Sequence, residues 1–231
     1  MLYGRNAVHE ALRARRRPVH RIWATSATLR SESWLKSRTV EVVEADELTR
    51  LAGTDAHQGV CAQADGYPYA DASALLRLDS PLIVALDEVQ DVQNLGAIAR
   101  TAECAGASGL VIPERRSAEV TPAAGKASAG AVEHLPVART RNLADWLEEA
   151  KAAGCWIYGA AGDSSAVPWT QPEYRGGVVL VMGAEGTGLR PRVAATCDAL
   201  VALPLHGRIS SLNVSAAAAA LLYEIVRDRT T

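Results

Sequence analysis

The chain has 231 residues, of which 48% are hydrophobic and 22% are charged, and its formal net charge at pH 7 is −2. This composition is typical of a globular protein of one or two domains and leaves room for a sizeable core. The longest apolar run, residues 216–223, is too short to cross a bilayer, and no secretory signal opens the sequence. We therefore expect a soluble cytoplasmic protein without a membrane partner.

The cysteines are few and widely spaced, at Cys61, Cys104, Cys155 and Cys197. No two of them form a CxxC pair, and no cysteine and histidine stand at the spacing of zinc ligands. The sequence therefore predicts neither a disulfide framework nor a metal site, and a reducing compartment fits this pattern.

The small net charge hides an uneven distribution. Residues 1–38 contain nine Lys/Arg and two acids, whereas the rest of the chain contains 15 Lys/Arg and 24 acids. The stretch "ALRARRRPVHR" leaves two interpretations open: the solvated end of a basic helix, or a patch that binds nucleic-acid phosphates. The arginines of the second interpretation are Arg13, Arg15, Arg16, Arg17 and Arg21.

Residues 1–66 predict a small mixed α/β module. Apolar residues in "GRNAVHEALRA" follow helical spacing, and "HRIWA", "VEVVE" and "GVCAQA" are short runs of strand-forming residues. The stretch "DGYPYADAS" mixes Gly, Pro, Tyr and Asp without periodicity, which is typical of a connecting segment. We therefore predict a linker over residues 67–80.

A different pattern occupies residues 81–231. Six short apolar runs, "LIVALDE", "GLVIP", "HLPVA", "CWIYGAA", "VVLVMGAE" and "DALVALPL", alternate with helical stretches. This alternation predicts an α/β domain with a parallel sheet covered on both faces. Ligands bind such sheets outside the carboxyl ends of the strands, which is where "DEVQDVQNLG", "GAAGDSS", "GAEGTGL" and "PLHGRISSLN" fall. We expect these four loops to form one site.

The glycine-rich stretch "MGAEGTGLR" follows the fifth apolar run. Its glycines let the backbone approach a ligand and present N–H groups. It matches neither the GxGxxG dinucleotide fingerprint nor a phosphate loop ending in Gly-Lys-Ser/Thr. A plain turn is the alternative, but Glu185 in its middle needs a partner or a function, because a buried carboxylate is costly.

Asn94 and Arg100 lie six residues apart in a helical stretch in which alanine and isoleucine surround the arginine. An unpaired guanidinium in apolar surroundings is costly, so we expect Arg100 to have a partner. Two partners are open: a structural salt bridge, for which Glu185 is a candidate, or the phosphate or ribose of a ligand.

The final segment joins the polar cluster "HGRISSLN" to five consecutive alanines. Ser211 and Asn213 precede the helix, and Ser211 considered alone is best interpreted as its N-cap. The alanines need a further explanation, because their small side chains permit close packing of backbone on backbone. We expect another segment of the chain to pass very near this helix.

Three stretches, "DVQNLGAIARTA", "VMGAEGTGL" and "LPLHGRISSLNVSAAAAALLYE", resemble in order and spacing the three motifs of the SpoU family of RNA ribose 2′-O-methyltransferases, within the SPOUT class. The stretches "LYGRNAVHEAL" and "HQGVCA" resemble the substrate-binding module of that family, which is similar to a ribosomal L30e-type RNA-binding fold. The resemblance covers nearly the whole chain, and three ordered motifs are far more specific than one.

The resemblance implies a C-terminal trefoil knot, in which the last helix is threaded through a loop beside an S-adenosylmethionine pocket, and a homodimer. Tight packing in such a knot would explain the five alanines. The resemblance places Ala160, Gly183, Leu203 and Leu212 against the cofactor. It places Arg100, Asn94, Glu185, Ser211 and Asn213 around the target ribose.

The resemblance also implies roles for these side chains. Arginine stays protonated because its pKa lies above about 12, so we expect Arg100 to bind phosphate and stabilise a developing alkoxide rather than to act as a base. Asn94 and Ser211 would orient Arg100, Asn213 would hold the loop of the third motif, and Glu185 would fix Arg100 or loop donors.

The predicted function is methyl transfer from S-adenosylmethionine to a ribose, most similar to that of enzymes that modify a guanosine in large-subunit ribosomal RNA. A tRNA methyltransferase or an antibiotic-resistance ribosomal RNA methyltransferase is the alternative within the same class. A non-catalytic RNA-binding or assembly protein is the alternative from another class. The intact set of five polar side chains favours an enzyme.

Overall fold

The chain folds into two units, each built on one β-sheet. A computed structural model of the protein describes residues 1–162 and 166–230. The first unit contains β1 (Leu2–Tyr3), α1 (Arg5–Ala14), β2 (Val19–Ala24), α2 (Ser26–Ser31), β3 (Glu41–Val42), α3 (Ala45–Ala52) and β4 (Val60–Ala64). Its four strands pair in the order β1-β4-β2-β3. A single turn of 3-10 helix covers Ser33–Leu35.

Helix α1 is amphipathic and buries Ala7, Val8 and Ala11, and the last two of these pack in the core of the small sheet. It ends at Arg15, which adopts the left-handed conformation with φ 54°. The predicted helix and the three predicted strands of this module are confirmed. Strand β1 escapes prediction because two residues are too few to show a periodic pattern.

The connecting segment is packed against the second unit. The Tyr67 hydroxyl donates to the carbonyl of Val132 at 2.8 Å, and Ala70 forms a parallel bridge with Ala138. A short helix, α4 (Ala72–Leu75), follows. The linker bounds stay a prediction, but this segment holds the two units together rather than separating them.

The second unit contains β5 (Leu82–Asp87), α5 (Val92–Cys104), β6 (Gly109–Pro113), α6 (Pro122–Ala127), β7 (Val137–Thr140), α7 (Leu143–Ala152), β8 (Cys155–Ala160), β9 (Val167–Pro168), β10 (Gly177–Gly183), α8 (Pro191–Thr196), β11 (Ala199–Ala202) and α9 (Val214–Thr230). The strands form one parallel sheet in the order β7-β6-β5-β10-β8-β11-β9. The predicted α/β architecture with a parallel sheet is confirmed. Strand β9 is too short to be predicted, and β7 begins three residues later than "HLPVA" suggests, since Pro136 has no N–H for the ladder.

Helices cover both faces of this sheet, which explains why its strands are continuously apolar. Leu82, Val84 and Leu86 of β5 pack in the same cluster as residues of α5 and α9. Ile83 and Ala85 point to the other face, where they join residues of α7 and α8. Alternate residues of one strand therefore enter two separate cores.

The connections change direction between β5 and β10. From β5 the chain runs outward through β6 and β7, and it then returns to build β8 and β11 on the far side of β10. Such a switch point leaves a crevice outside the carboxyl ends of the strands. The knotted path of the last helix stays a prediction.

Candidate active site

A cavity lies at the carboxyl ends of β8, β10 and β11. The four residues predicted to contact a cofactor, Ala160, Gly183, Leu203 and Leu212, all line it, and so does Ser211. Sequence reasoning missed the apolar side chains that complete the wall, which are Met182, Val201, Leu205, Val214, Ala217 and Leu221. The cavity therefore joins apolar surface to glycine-rich backbone, as ligand pockets commonly do.

The glycines of residues 183–188 are required by the backbone. A Cβ atom on Gly183 would lie 2.3 Å from the carbonyl carbon of Gly188, so no larger residue fits there. Gly186 and Gly188 have φ of 81° and 67°, in the left-handed region. Ala184 and Gly188 exchange two backbone hydrogen bonds, of 3.1 and 2.9 Å. The turn is thus held tightly and presents main chain to the cavity.

Glu185 is held by two asparagines from distant segments. Its Oε1 atom accepts hydrogen bonds from Asn213 Nδ2 at 2.6 Å, from Asn94 Nδ2 at 3.3 Å and from the backbone N–H of Val214 at 3.4 Å. Asn213 Nδ2 also donates to Asn94 Oδ1 at 2.9 Å. We call Asn94, Glu185 and Asn213 the amide cluster. It ties the start of α5, the glycine turn and the start of α9 to one another.

Asn213 has a second role as the N-cap of α9. Its Oδ1 atom accepts from the backbone N–H of Ser215 at 2.9 Å and of Ala216 at 3.3 Å. The interpretation of Ser211 as the cap is therefore wrong, because the helix begins at Val214. Ser211 is exposed and faces the cavity instead.

Arg100 does not join the amide cluster. It lies in α5 six residues after Asn94, roughly 120° around the helix axis from it, and it is exposed. Among residues 1–162 and 166–230, no side chain or carbonyl forms a hydrogen bond or ion pair with its guanidinium. Of the two alternatives for Arg100, the structural salt bridge with Glu185 is not formed, because Arg100 is exposed and the asparagines bind the Oε1 atom of that carboxylate.

A buried carboxylate that sequence reasoning missed holds the glycine turn from the other side. Asp87, at the end of β5, is fully buried and accepts from the backbone N–H of Arg190 at 2.8 Å and from its Nε at 2.7 Å. Arg190 NH1 also lies 3.6 Å from Glu88 Oε1. The signal was available, since an Asp closes the apolar run "LIVALDE" and a buried carboxylate requires a cation.

Comparisons with known proteins agree with this geometry. Residues 81–223 match the model of the SpoU rRNA Methylase family, and residues 1–70 match that for RNA 2′-O ribose methyltransferase substrate binding. The chain belongs to the SpoU family. The chain is 37% identical over 245 residues to the 23S rRNA (guanosine-2′-O-)-methyltransferase RlmB of Ralstonia nicotianae, which covers all of this chain and 96% of that protein.

Two solved structures are also similar to this chain. The SpoU methyltransferase AviRb from Streptomyces viridochromogenes, in complex with AdoMet, has a TM-score of 0.82 at 26% identity, over 100% of this chain and 90% of that one. An AdoMet-bound rRNA methyltransferase from Sinorhizobium meliloti has a TM-score of 0.81 at 27% identity, over 97% and 85% of the two chains. The likeness extends through both units.

In the substrate-binding module of this SpoU protein, two of the five predicted RNA-binding arginines turn inward. Arg17 donates to the buried carboxylate of Glu133 through Nε, at 3.1 Å, and through NH2, and its side chain is only 9% exposed. Arg16 donates to the carbonyls of Leu135 at 3.2 Å and Pro68 at 3.3 Å. Both arginines join the module to the second unit of the fold, and their binding of RNA stays a prediction.

The other three arginines are exposed, but two of them have carboxylate partners. Arg13 pairs with Glu10 at 3.1 Å, and Arg21 forms two hydrogen bonds of 2.9 Å with Glu41. Only Arg15 of the five has no hydrogen bond or ion pair from its side chain to the described residues. A role of these three in RNA binding stays a prediction.

One of the four predicted site loops, "GAAGDSS", is only partly described: Asp163, Ser164 and Ser165 lie outside the described residues. Within the part of the chain that is described, no group of three His, Cys, Asp or Glu side chains is placed to hold a metal ion. No helix of that part is long and apolar enough to span a membrane.

Proposed function

We propose that this chain transfers the methyl group of S-adenosylmethionine to the ribose 2′-hydroxyl of a guanosine in large-subunit ribosomal RNA. The observation that carries the proposal is the convergence of all three motif segments at the amide cluster, beside a cavity with a glycine-rich wall. The name of the Ralstonia relative supports both the guanosine and the ribosomal substrate.

The cavity residues fit S-adenosylmethionine. The backbone at Gly186 and Gly188 has open space beside it for close approach of a ligand. Leu203, Leu212 and Leu221 offer apolar surface for an adenine ring. The two AdoMet-bound neighbours support the same cofactor here. When bound, it supplies an electrophilic methyl group for in-line displacement by the ribose oxygen.

The chain contributes positioning and charge to this reaction. The amide cluster holds the three loops in one arrangement, so that cofactor and ribose meet in a reactive geometry. Arg100, exposed and still available, binds a phosphate near the target and stabilises negative charge that develops on the 2′ oxygen. Ser211, on the cavity wall, orients the hydroxyl by a hydrogen bond.

A homodimer in the cytoplasm is the form in which we propose that the enzyme acts. Large apolar side chains are exposed beside the cavity and on α9, where a second copy would cover them: Leu205, Ile209, Leu212 and Tyr223. Sedimentation at micromolar concentration is expected to give twice the mass of the chain, and a monomer alone at that concentration would contradict the dimer.

The direct test is methyl transfer to defined RNAs. Ribosomal RNA fragments and tRNA are incubated with the enzyme and isotope-labelled S-adenosylmethionine, and ribose-methylation mapping identifies the nucleotide. We expect one modified guanosine in a large-subunit fragment. Calorimetry first establishes cofactor binding, with NAD as the control ligand. Binding without transfer to any RNA would favour an assembly protein, and methylation of tRNA alone would correct the substrate.

A further inference from the structure

A second basic segment of the module lies outside the arginine-rich stretch. Arg30, Lys36 and Arg38 are all exposed and fall within nine residues, between the end of α2 and the turn after the 3-10 helix. Within residues 1–162 and 166–230, none of the three side chains forms a hydrogen bond or ion pair. They contrast with Arg13 and Arg21, whose charges are compensated by Glu10 and Glu41.

The segment is anchored, so its cations are presented on a fixed surface. Leu35 is fully buried in the core of the module. The backbone N–H of Arg38 donates to the carbonyl of Leu35 at 3.0 Å, and that of Lys36 to Ser33 at 3.2 Å. The acid inside the segment, Glu32, already faces Arg5 at 3.2 Å. Three positive charges therefore remain uncompensated.

An aromatic platform lies in the same place. The rings of His9 and Trp34 are stacked, with centroids 4.7 Å apart and planes inclined by 13°. Trp34 Nε1 donates to Glu32 Oε2 at 2.9 Å, which fixes the indole, and the His9 side chain is 34% exposed. Unpaired RNA bases stack on aromatic rings, whereas bases within a duplex do not expose their faces.

We propose that Arg30, Lys36 and Arg38, together with the stacked pair His9 and Trp34, form a binding site for an unpaired segment of RNA. The cations bind its phosphates, and a base splayed from a loop stacks on the ring pair. This inference rests on the proposed function for the nature of the substrate. It moves the main RNA contact of the module from the stretch 13–21 to the segment 30–38.

The test compares two variants of the whole protein that lose the same charge. The site variant is Arg30→Gln/Lys36→Gln/Arg38→Gln. The control is Arg50→Gln/Arg77→Gln/Arg192→Gln, whose arginines are exposed, all have carboxylate partners and are not among the predicted RNA-binding residues. Fluorescence anisotropy measures the affinity for a ribosomal RNA hairpin at several salt concentrations. Thermal midpoints and affinity for S-adenosylmethionine are measured alongside.

We expect the site variant to bind the hairpin more weakly by on the order of 100-fold and to lose about two to three units of salt slope. The control is expected to change affinity by less than about threefold. Equal weakening of both variants would overturn the proposal, because it would show a response to net charge alone. Both variants are expected to keep the cofactor affinity of the unchanged protein.

A second comparison tests the aromatic platform. The variant His9→Ala is expected to weaken binding of the looped hairpin about tenfold and to leave binding of a blunt duplex of equal length unchanged, whereas His9→Phe keeps the stack and most of the affinity. Equal effects on hairpin and duplex would contradict stacking. An unchanged protein that binds the hairpin through this segment but transfers no methyl group would count against the proposed function alone.

Discussion

Glu185 and Glu133 each connect segments that are far apart in the sequence, but they do so in different ways. Glu185 is exposed, and its Oε1 atom is held by the amides of Asn94 and Asn213. Glu133 is 1% exposed and is held by the guanidinium of Arg17. One carboxylate is bound by neutral donors at the rim of a cavity, and the other by a charge in the interface between two units.

The difference separates a functional contact from a structural one. A buried carboxylate without a cation costs several kcal/mol, so Glu133 depends on Arg17 for its place in the fold. Glu185 keeps its contact with water, and its Oε2 atom accepts no hydrogen bond from the described residues. It therefore positions three loops without a large contribution to stability. Variants at the two residues are expected to affect different measurements.

The largest effect on stability is expected for Glu133→Ala. The change leaves the Arg17 guanidinium buried without its partner, which costs about 3 to 5 kcal/mol of unfolding free energy. Urea denaturation followed by circular dichroism measures this loss. Glu47→Ala removes an exposed ion pair with Arg50 and serves as the control, with an expected cost below about 1 kcal/mol. Equal losses of unfolding free energy in the two variants would show that the pair of Glu133 and Arg17 stabilises the fold no more than an exposed ion pair does.

Activity is expected to change most for Glu185→Ala. Without the carboxylate, the amides of Asn94 and Asn213 lose their shared acceptor and the glycine turn is free to shift. A misplacement of about 1 Å lowers turnover by on the order of 100-fold. Methyl incorporation and the thermal midpoint are measured together, with Glu103→Ala on the exposed side of α5 as the control. A folded Glu185→Ala protein with normal turnover would show that the amide cluster is not needed for catalysis.

Arg100→Lys is expected to have a smaller effect on activity and none on folding. The lysine keeps the charge but loses the planar fork that binds phosphate at two points, so we expect turnover to fall about tenfold. Since Arg100 is exposed, the unfolding free energy should stay within about 0.5 kcal/mol. Arg175→Lys, exposed at the opposite end of the sheet, is the control. A large loss of unfolding free energy would contradict this prediction, because it would show that Arg100 stabilises the fold.

The position of a residue at the cavity can be predicted from sequence where the residue ends a strand of the parallel sheet. Ala160 and Gly183 end apolar runs of a parallel sheet, so their place at one rim follows from the architecture, and the resemblance adds Leu203 and Leu212. Strand β9 could not be predicted, because two residues are too few to show the alternating pattern of a strand. The exposed position of Arg100 also differs from expectation, since neighbouring alanines in a sequence do not reveal which face of a helix is covered.

Pairs that bridge distant segments could not be predicted. Arg17 and Glu133 are 116 positions apart, and nothing in "ALRARRRPVHR" marks one arginine for the interior. Burial of a charge is decided by the docking of two units, and the sequence of either unit alone does not contain that geometry. Asp87 and Arg190 form an intermediate case, because the apolar strand indicates a buried acid but not which arginine binds it.

The smallest predicted effect concerns pH and a second contact in the interface that contains Glu133. Burial acts to raise the pKa of Glu10, but hydrogen bonds from His134 and Arg13 outweigh it, so the net pKa of Glu10 is lowered. His134 Nε2 lies 2.7 Å from Glu10 Oε2 and connects α1 to the catalytic unit.

A carboxylate whose pKa is lowered by folding stabilises the folded state above its unfolded pKa, and this contribution is lost as the pH falls through the folded value. We expect Glu10→Gln to reduce the loss of unfolding free energy below the ordinary glutamate pKa of roughly 4, by less than about 1 kcal/mol because the site is partly solvated. Thermal midpoints from pH 7 to pH 3 measure it, with Glu41→Gln as an exposed control. A Glu10→Gln profile that falls as steeply as that of the unchanged protein would show that Glu10 does not contribute to the acid sensitivity of this interface.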